Sequence, residues 1–156
     1  MLKKMYDLQK KKGKKGFSMI ELIIVLAIMA ILVALIGTQL IPYLEKSREK
    51  RDKTTLDTCK TALESVIADY EFDVKSQSSY TSGVTISTIL SDIDTAANVT
   101  TAASDFEQYS GVGVGDTDKF KSNKAGSSPS IGSVTVTFDA NGVITQLTVG
   151  SVNLVE

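Results

Sequence analysis

Gly16-Phe17-Ser18-Met19-Ile20-Glu21-Leu22-Ile23-Ile24-Val25-Leu26-Ala27-Ile28-Met29-Ala30-Ile31-Leu32-Val33-Ala34-Leu35-Ile36 opens with one acid and continues as an apolar run that decides how the chain is organised. The run Leu22–Leu44 holds 23 residues without a charge. As a helix rising about 1.5 Å per residue it reaches about 35 Å, enough to cross a hydrocarbon core of about 30 Å. A core helix of a globular domain seldom stays apolar on all sides for that length, so the segment reads as membrane-spanning. A charge inside hydrocarbon costs about 2.5–3.5 kcal/mol on insertion scales, which makes Glu21 a functional candidate. The plainer reading is an acid tolerated at the interface of a simple signal anchor.

Upstream, residues 1–16 carry seven Lys and one Asp, a net +6. Residues 17–156 carry ten Lys/Arg against seventeen Asp/Glu, a net −7. The positive-inside rule then keeps the basic segment cytoplasmic and sends the acidic remainder across the membrane. The lysines have no aromatic interleaving beyond Tyr6 and adjoin a span, so nucleic acid is not an expected partner. An ordinary secretory signal would be cut after its apolar region at small residues. Ala-x-Ala is missing near Gly37-Thr38, and the run exceeds the usual h-region of about 7–15 residues.

Cys59 is the single cysteine, so no intramolecular disulfide can form, and the chain has no His. Histidine acid–base chemistry and histidine metal ligation are thereby excluded. No nucleophile–base pair clusters in the sequence, so the chain reads as a non-enzyme with no cofactor.

Downstream, Pro42 removes a backbone donor and should bend or loosen the helix, with Gly37 a weaker flexible point. Leu56, Cys59, Leu63, Val66, Ile67 and Tyr70 then recur at three- and four-residue steps, the stripe of an amphipathic helix. One helix is therefore expected from Phe17 to about Tyr70, apolar all round in its first half and striped in its second. Past Asp73 the composition shifts to Ser, Thr, Gly, Val and Asp. Val84–Ile93 could be a strand or short helix, with Ile86, Ile89, Leu90 and Ile93 favouring the helical step. Ala96–Tyr109 is ambiguous, Gly111–Gly115 is a loop or weak strand, and Ser122–Gly132 is a loop. Ser133–Phe138 and Val143–Val149 form the best hairpin, turned by Asp139–Gly142 with Asn141-Gly142 supplying positive φ angles. Val152–Val155 adds an edge strand. The fold class is α+β: a long N-terminal helix packed on a small antiparallel sheet head.

The stretch Lys14-Lys15-Gly16-Phe17-Ser18-Met19-Ile20-Glu21-Leu22 and its apolar continuation resemble the class III signal of type IV pilins, shared with pseudopilins of type II secretion and DNA uptake. The resemblance is specific over about 30 residues and extends in layout to the pilin fold. It implies cleavage between Gly16 and Phe17 by a membrane prepilin peptidase, N-methylation of Phe17, and subunit assembly through Phe17 and Glu21. Residues 1–16 are then the removed leader, 17–44 the transmembrane and fibre-core helix, 45–71 its amphipathic continuation and 72–156 the head. Many family members place a helix-loosening proline where Thr38 stands here. The paired-cysteine loop of some pilins is missing, which is similar to members from Gram-positive bacteria.

The implied function is a structural subunit of a type IV pilus. Its partners are the peptidase, copies of itself and other pilins, an assembly ATPase with its platform, and the membrane before assembly. Localisation follows: a single-pass cytoplasmic-membrane protein with its N-terminus inside, then a cell-surface fimbrium, with adhesion, twitching motility, aggregation and DNA uptake all open as its role. A pseudopilin is the alternative within this architecture, and a membrane-anchored binding domain that never polymerises is the alternative from another class. Asp116-Thr-Asp118 and Asp92-Ile-Asp94 offer carboxylate pairs to a metal such as Ca2+, although such pairs are common on solvated loops. Asn98-Val-Thr100 matches a glycosylation acceptor, and Gly111-x-Gly-x-Gly lacks the context of a dinucleotide fingerprint. Cys59 lies on the apolar stripe and reads as core.

Overall fold

The computed structural model describes residues 17–155. Residues 1–16, the expected leader with Gly16 of the expected cleavage site, lie outside the described residues. The chain divides into an apolar unit ending at Ile41 and a second unit beginning at Pro42.

Helix α1 spans Met19–Asp69, 51 residues, and continues through Pro42 without interruption. Pro42 removes the N–H that would reach the carbonyl of Thr38. The expected start at Phe17 moves to Met19, because Ser18 stands outside the first turn. The C-terminus stops by a mechanism the sequence conceals. Glu71 adopts φ 48°. The Phe72 N–H reaches Ile67 O at 3.0 Å and the Glu71 N–H reaches Ala68 O at 3.2 Å. This is the paired-bond stop usually built on glycine. A side chain in that left-handed conformation costs about 1–2 kcal/mol.

In the first unit no apolar side chain of α1 is covered: the large hydrophobics Met19–Ile41 are all exposed in the single chain. α1 is long and apolar enough to cross a membrane there.

The second unit forms around the striped half of α1. Leu56, Cys59, Ala62, Leu63 and Val66 are buried and join one hydrophobic cluster with the head. Burying each large aliphatic side chain contributes about 1.5–3 kcal/mol. After two 3₁₀ turns, Val74–Ser76 and Ser78–Ser82, the short strand β1 (Val84–Thr85) leads into α2, Ile86–Ala97. Ile86, Ile89, Leu90 and Ile93 form the buried face of α2, so the helical step prevails. The ambiguous stretch resolves as α3, Ala102–Ser110, whose first N–H, from Ala102, reaches Asp94 Oδ1 at 3.0 Å. Gly111–Gly115 forms no strand. The head thus holds two helices beside its sheet.

Strands β2 (Thr135–Phe138), β3 (Ile144–Val149) and β4 (Val152–Val155) complete a four-stranded antiparallel sheet in the order β1-β2-β3-β4. Ile144 and Leu147 are both buried although three apart. A regular strand cannot face both inward. Thr137 pairs with Gln146 and Phe138 with Ile144, so Thr145 is the extra residue of a bulge that restores the alternation. The hairpin is turned as expected, but of Asn141-Gly142 only Gly142 has positive φ, 79°. Asp139 takes the missing role: its Oδ1 accepts the N–H of Asn141 at 2.8 Å and of Val143 at 2.9 Å. These backbone donors, Val143 foremost, hold the Asp139 carboxyl below the usual carboxylate range.

The packed face of α1 begins earlier than the apolar stripe. Glu45, Glu49 and Asp52 continue the spacing of Leu56, Cys59, Leu63 and Val66 towards the N-terminus. They meet the loop before the hairpin. Asp52 is fully buried and accepts the N–H of Lys121 at 2.8 Å, the N–H of Ser122 at 2.9 Å and the Ser122 hydroxyl. Glu45 accepts the N–H of Asn123, and Glu49 pairs with Lys124 Nζ at 2.9 Å. That hydrogen bond to Lys124 lowers the Glu49 pKa from its ordinary value.

Candidate functional site at the first turn of the long helix

Ser18 immediately precedes α1, and Met19, Ile20 and Glu21 open its first turn. The Ser18 backbone N–H donates to Glu21 Oε2 at 2.9 Å, so the third residue of the helix reaches back to the residue that precedes it. This is one half of a capping box, a motif legible in Ser18-x-x-Glu21 that the reading of Glu21 as an isolated charge overlooked. The positive end of the helix dipole lies at the same place and favours an anion there. Glu21 therefore sits where one helix tolerates it best, at an end rather than in the middle.

Phe17 lies immediately before the helix with its side chain 89% exposed. It is adjacent in sequence to Ser18, so a cut at the bond preceding it would leave an amine one residue from the Glu21-capped N–H. A carboxylate offers about four lone-pair positions. The single bond from Ser18 leaves room for that amine or for one from another chain.

The weaker candidates are engaged elsewhere. Asp116 accepts the Gly113 N–H at 3.1 Å and pairs with Lys119 at 3.4 Å, and Asp118 shares the same lysine at 4.0 Å. Asp92 accepts the Tyr80 hydroxyl at 2.6 Å. Burial and this carboxylate raise the Tyr80 pKa. Among the described residues no three His, Cys, Asp or Glu side chains gather as a metal would need. Asn98 is the left-handed cap of α2 at φ 53°.

Cys59 is buried, and burial pushes its thiol up to about 12. Thiolate is the reactive form, so a raised pKa suppresses reaction at neutral pH and restores it only as pH approaches that value. Maleimide labelling at pH 7.5 is expected to leave Cys59 unmodified in the native chain and to go to completion in urea. Rapid native labelling would contradict its placement.

Residues 11–37 match the family model described as the prokaryotic N-terminal methylation motif. This is the class III signal and the signature of type IV pilins, and it supports a pilin- or pseudopilin-type precursor. The motif implies processing by prepilin peptidase and assembly with other pilin-type subunits. The long helix followed by a four-strand antiparallel sheet is a pilin-like α+β architecture. No curated protein and no solved structure matches the chain.

Proposed function

We propose that the chain is the precursor of a type IV pilus subunit, cut between Gly16 and Phe17, N-methylated on Phe17 and polymerised through α1. The observation that carries this reading is the wholly uncovered apolar half of α1, headed by Glu21 in its first turn. Such a surface needs lipid or other helices around it. Cleavage at Gly16 keeps the helix on the product, and glycine admits close approach to the backbone.

After cleavage, residues 17–44 serve first as the membrane anchor and then as fibre core, 45–71 carry the head, and 72–156 form the outer surface. The Glu21 carboxylate pairs with the Phe17 amine of a neighbouring subunit. A desolvated ion pair contributes little net stability but strongly penalises registers that leave one member alone. The chain before assembly is a single-pass protein of the cytoplasmic membrane with its basic end inside.

N-terminal mass spectrometry of the membrane-extracted protein is expected to find methyl-Phe17. An intact Met1 in cells with active peptidase would overturn the processing claim. Imaging of sheared surface fractions separates the pilus from the pseudopilus: long fibres containing this subunit support the first.

A further inference from the structure

The second unit carries opposite charge at its two ends. Residues 42–54 hold five cations and three acids. The acids, Glu45, Glu49 and Asp52, are those turned to the loop at 121–124. Lys46, Lys50 and Arg51 are exposed and make no ion pair among the described residues. Tyr43, Lys46, Ser47 and Lys50 line a cleft of about 160 Å3 on this uncovered face of α1.

Residues 57–118 hold eleven acids and two cations, and four of those acids, Asp69, Glu71, Asp105 and Glu107, lie where α1 ends and along α3. Asp69 and Asp105 accept the hydroxyls of Tyr109 and Tyr70, which tie the ends of α1 and α3 together without neutralising either charge. Glu71 and Glu107 are exposed beside them. A second cleft, of about 260 Å3, opens at this end between Glu71, Asp73, Tyr70, Phe72, Ile93 and Ala97. Its apolar wall suits the methylene stem of a lysine and its carboxylates suit the ammonium.

We propose that the Tyr43–Lys50 face of α1 docks on the Glu71–Glu107 end of a second copy of this chain; the proposal rests on assembly through α1. Copies that share a membrane-inserted segment share an orientation, so copies at equal height place like charges side by side. An axial offset brings unlike ends together. Lys46 and Lys50 precede Glu71 by 25 and 21 residues along the chain. At about 1.5 Å per helical residue the offset between touching copies is about 30–40 Å. A lipid surface would engage the basic face alone and leave the acidic cleft unmatched, so the second copy is the occupant that answers both.

The test uses the full chain in its assembling host. Lys46→Glu with Lys50→Glu, and separately Glu71→Lys with Glu107→Lys, are each expected to lower sheared polymer by about tenfold while membrane level and N-terminal processing stay unchanged. The chain carrying all four substitutions restores complementarity and is expected to recover polymer to within about threefold of wild type. Oxidation of Lys50→Cys, Glu71→Cys filaments is expected to give a ladder of crosslinked subunits. Single-face reversals that assemble normally, failure of the four-substitution chain to recover, or filaments without the ladder would each overturn the docking. Loss of binding to anionic vesicles with polymer unchanged would assign the basic face to lipid and overturn it likewise. A wild-type chain that yields no sheared polymer would instead defeat assembly itself.

Discussion

Glu21→Ala is expected to leave insertion, membrane level and leader removal intact while recovery of the chain in sheared polymer falls about 100-fold or more. The two effects separate by magnitude. Among the described residues, Glu21 accepts the Ser18 N–H. Losing that cap costs about 1 kcal/mol, too little to prevent insertion of an uncharged run of 23 residues. Between chains of the proposed fibre, the substitution would strand the Phe17 amine among apolar helices, and removing one member of a buried ion pair costs about 3–5 kcal/mol. Glu21→Gln sharpens the result, since an amide oxygen still caps Ser18 but carries no charge. Glutamine is therefore expected to assemble as poorly as alanine. Normal incorporation of Glu21→Gln beside failure of Glu21→Ala would assign the role to capping. Normal incorporation of both would overturn the pairing of Glu21 with a neighbour's Phe17 amine.

Asp52→Ala is expected to destabilise the head by about 3 kcal/mol, because two backbone N–H groups and one hydroxyl lose a buried charged acceptor. Such bonds contribute about 1.5–3 kcal/mol each, partly offset by water entering the space. Asp52→Asn keeps one acceptor oxygen and is expected to lose about half as much. Urea unfolding of the detergent-solubilised chain measures both. Limited trypsin digestion localises the effect: cleavage after Lys121 and Lys124 should accelerate ahead of global unfolding as the loop lifts from α1. An alanine variant with the wild-type urea midpoint and wild-type digestion would show that the carboxylate does not hold the loop.

Much of this architecture is written locally. The apolar run from Leu22, the stripe Leu56-Cys59-Leu63-Val66 and the alternation of Val134, Val136 and Phe138 each report burial through their own period, so α1 and the hairpin strands were legible. The helix ends were less so. Glu71 stops α1 in a conformation that glycine ordinarily marks, and Asp139 supplies the turn bonds for which Asn141-Gly142 looked sufficient. Ser18-x-x-Glu21 was legible as a capping box and was masked by the stronger signal of an acid in an apolar run. The bulge at Thr145 was also latent, in two inward residues at the wrong spacing.

By itself the sequence determined the segment long and apolar enough to cross a membrane, the N-terminal methylation motif and the α+β class, because hydrophobic period and short motifs act between neighbours along the chain. Only the tertiary structure decided what Glu45, Glu49 and Asp52 do. On paper they are solvated acids in a charged helix. Folded, they face a loop about 70 residues away, where Glu45 and Asp52 accept its backbone N–H groups and Glu49 pairs with the Lys124 ammonium. A hydrogen bond between distant residues leaves no period in either segment. The buried position of Asp52 becomes visible only when loop and helix are brought together.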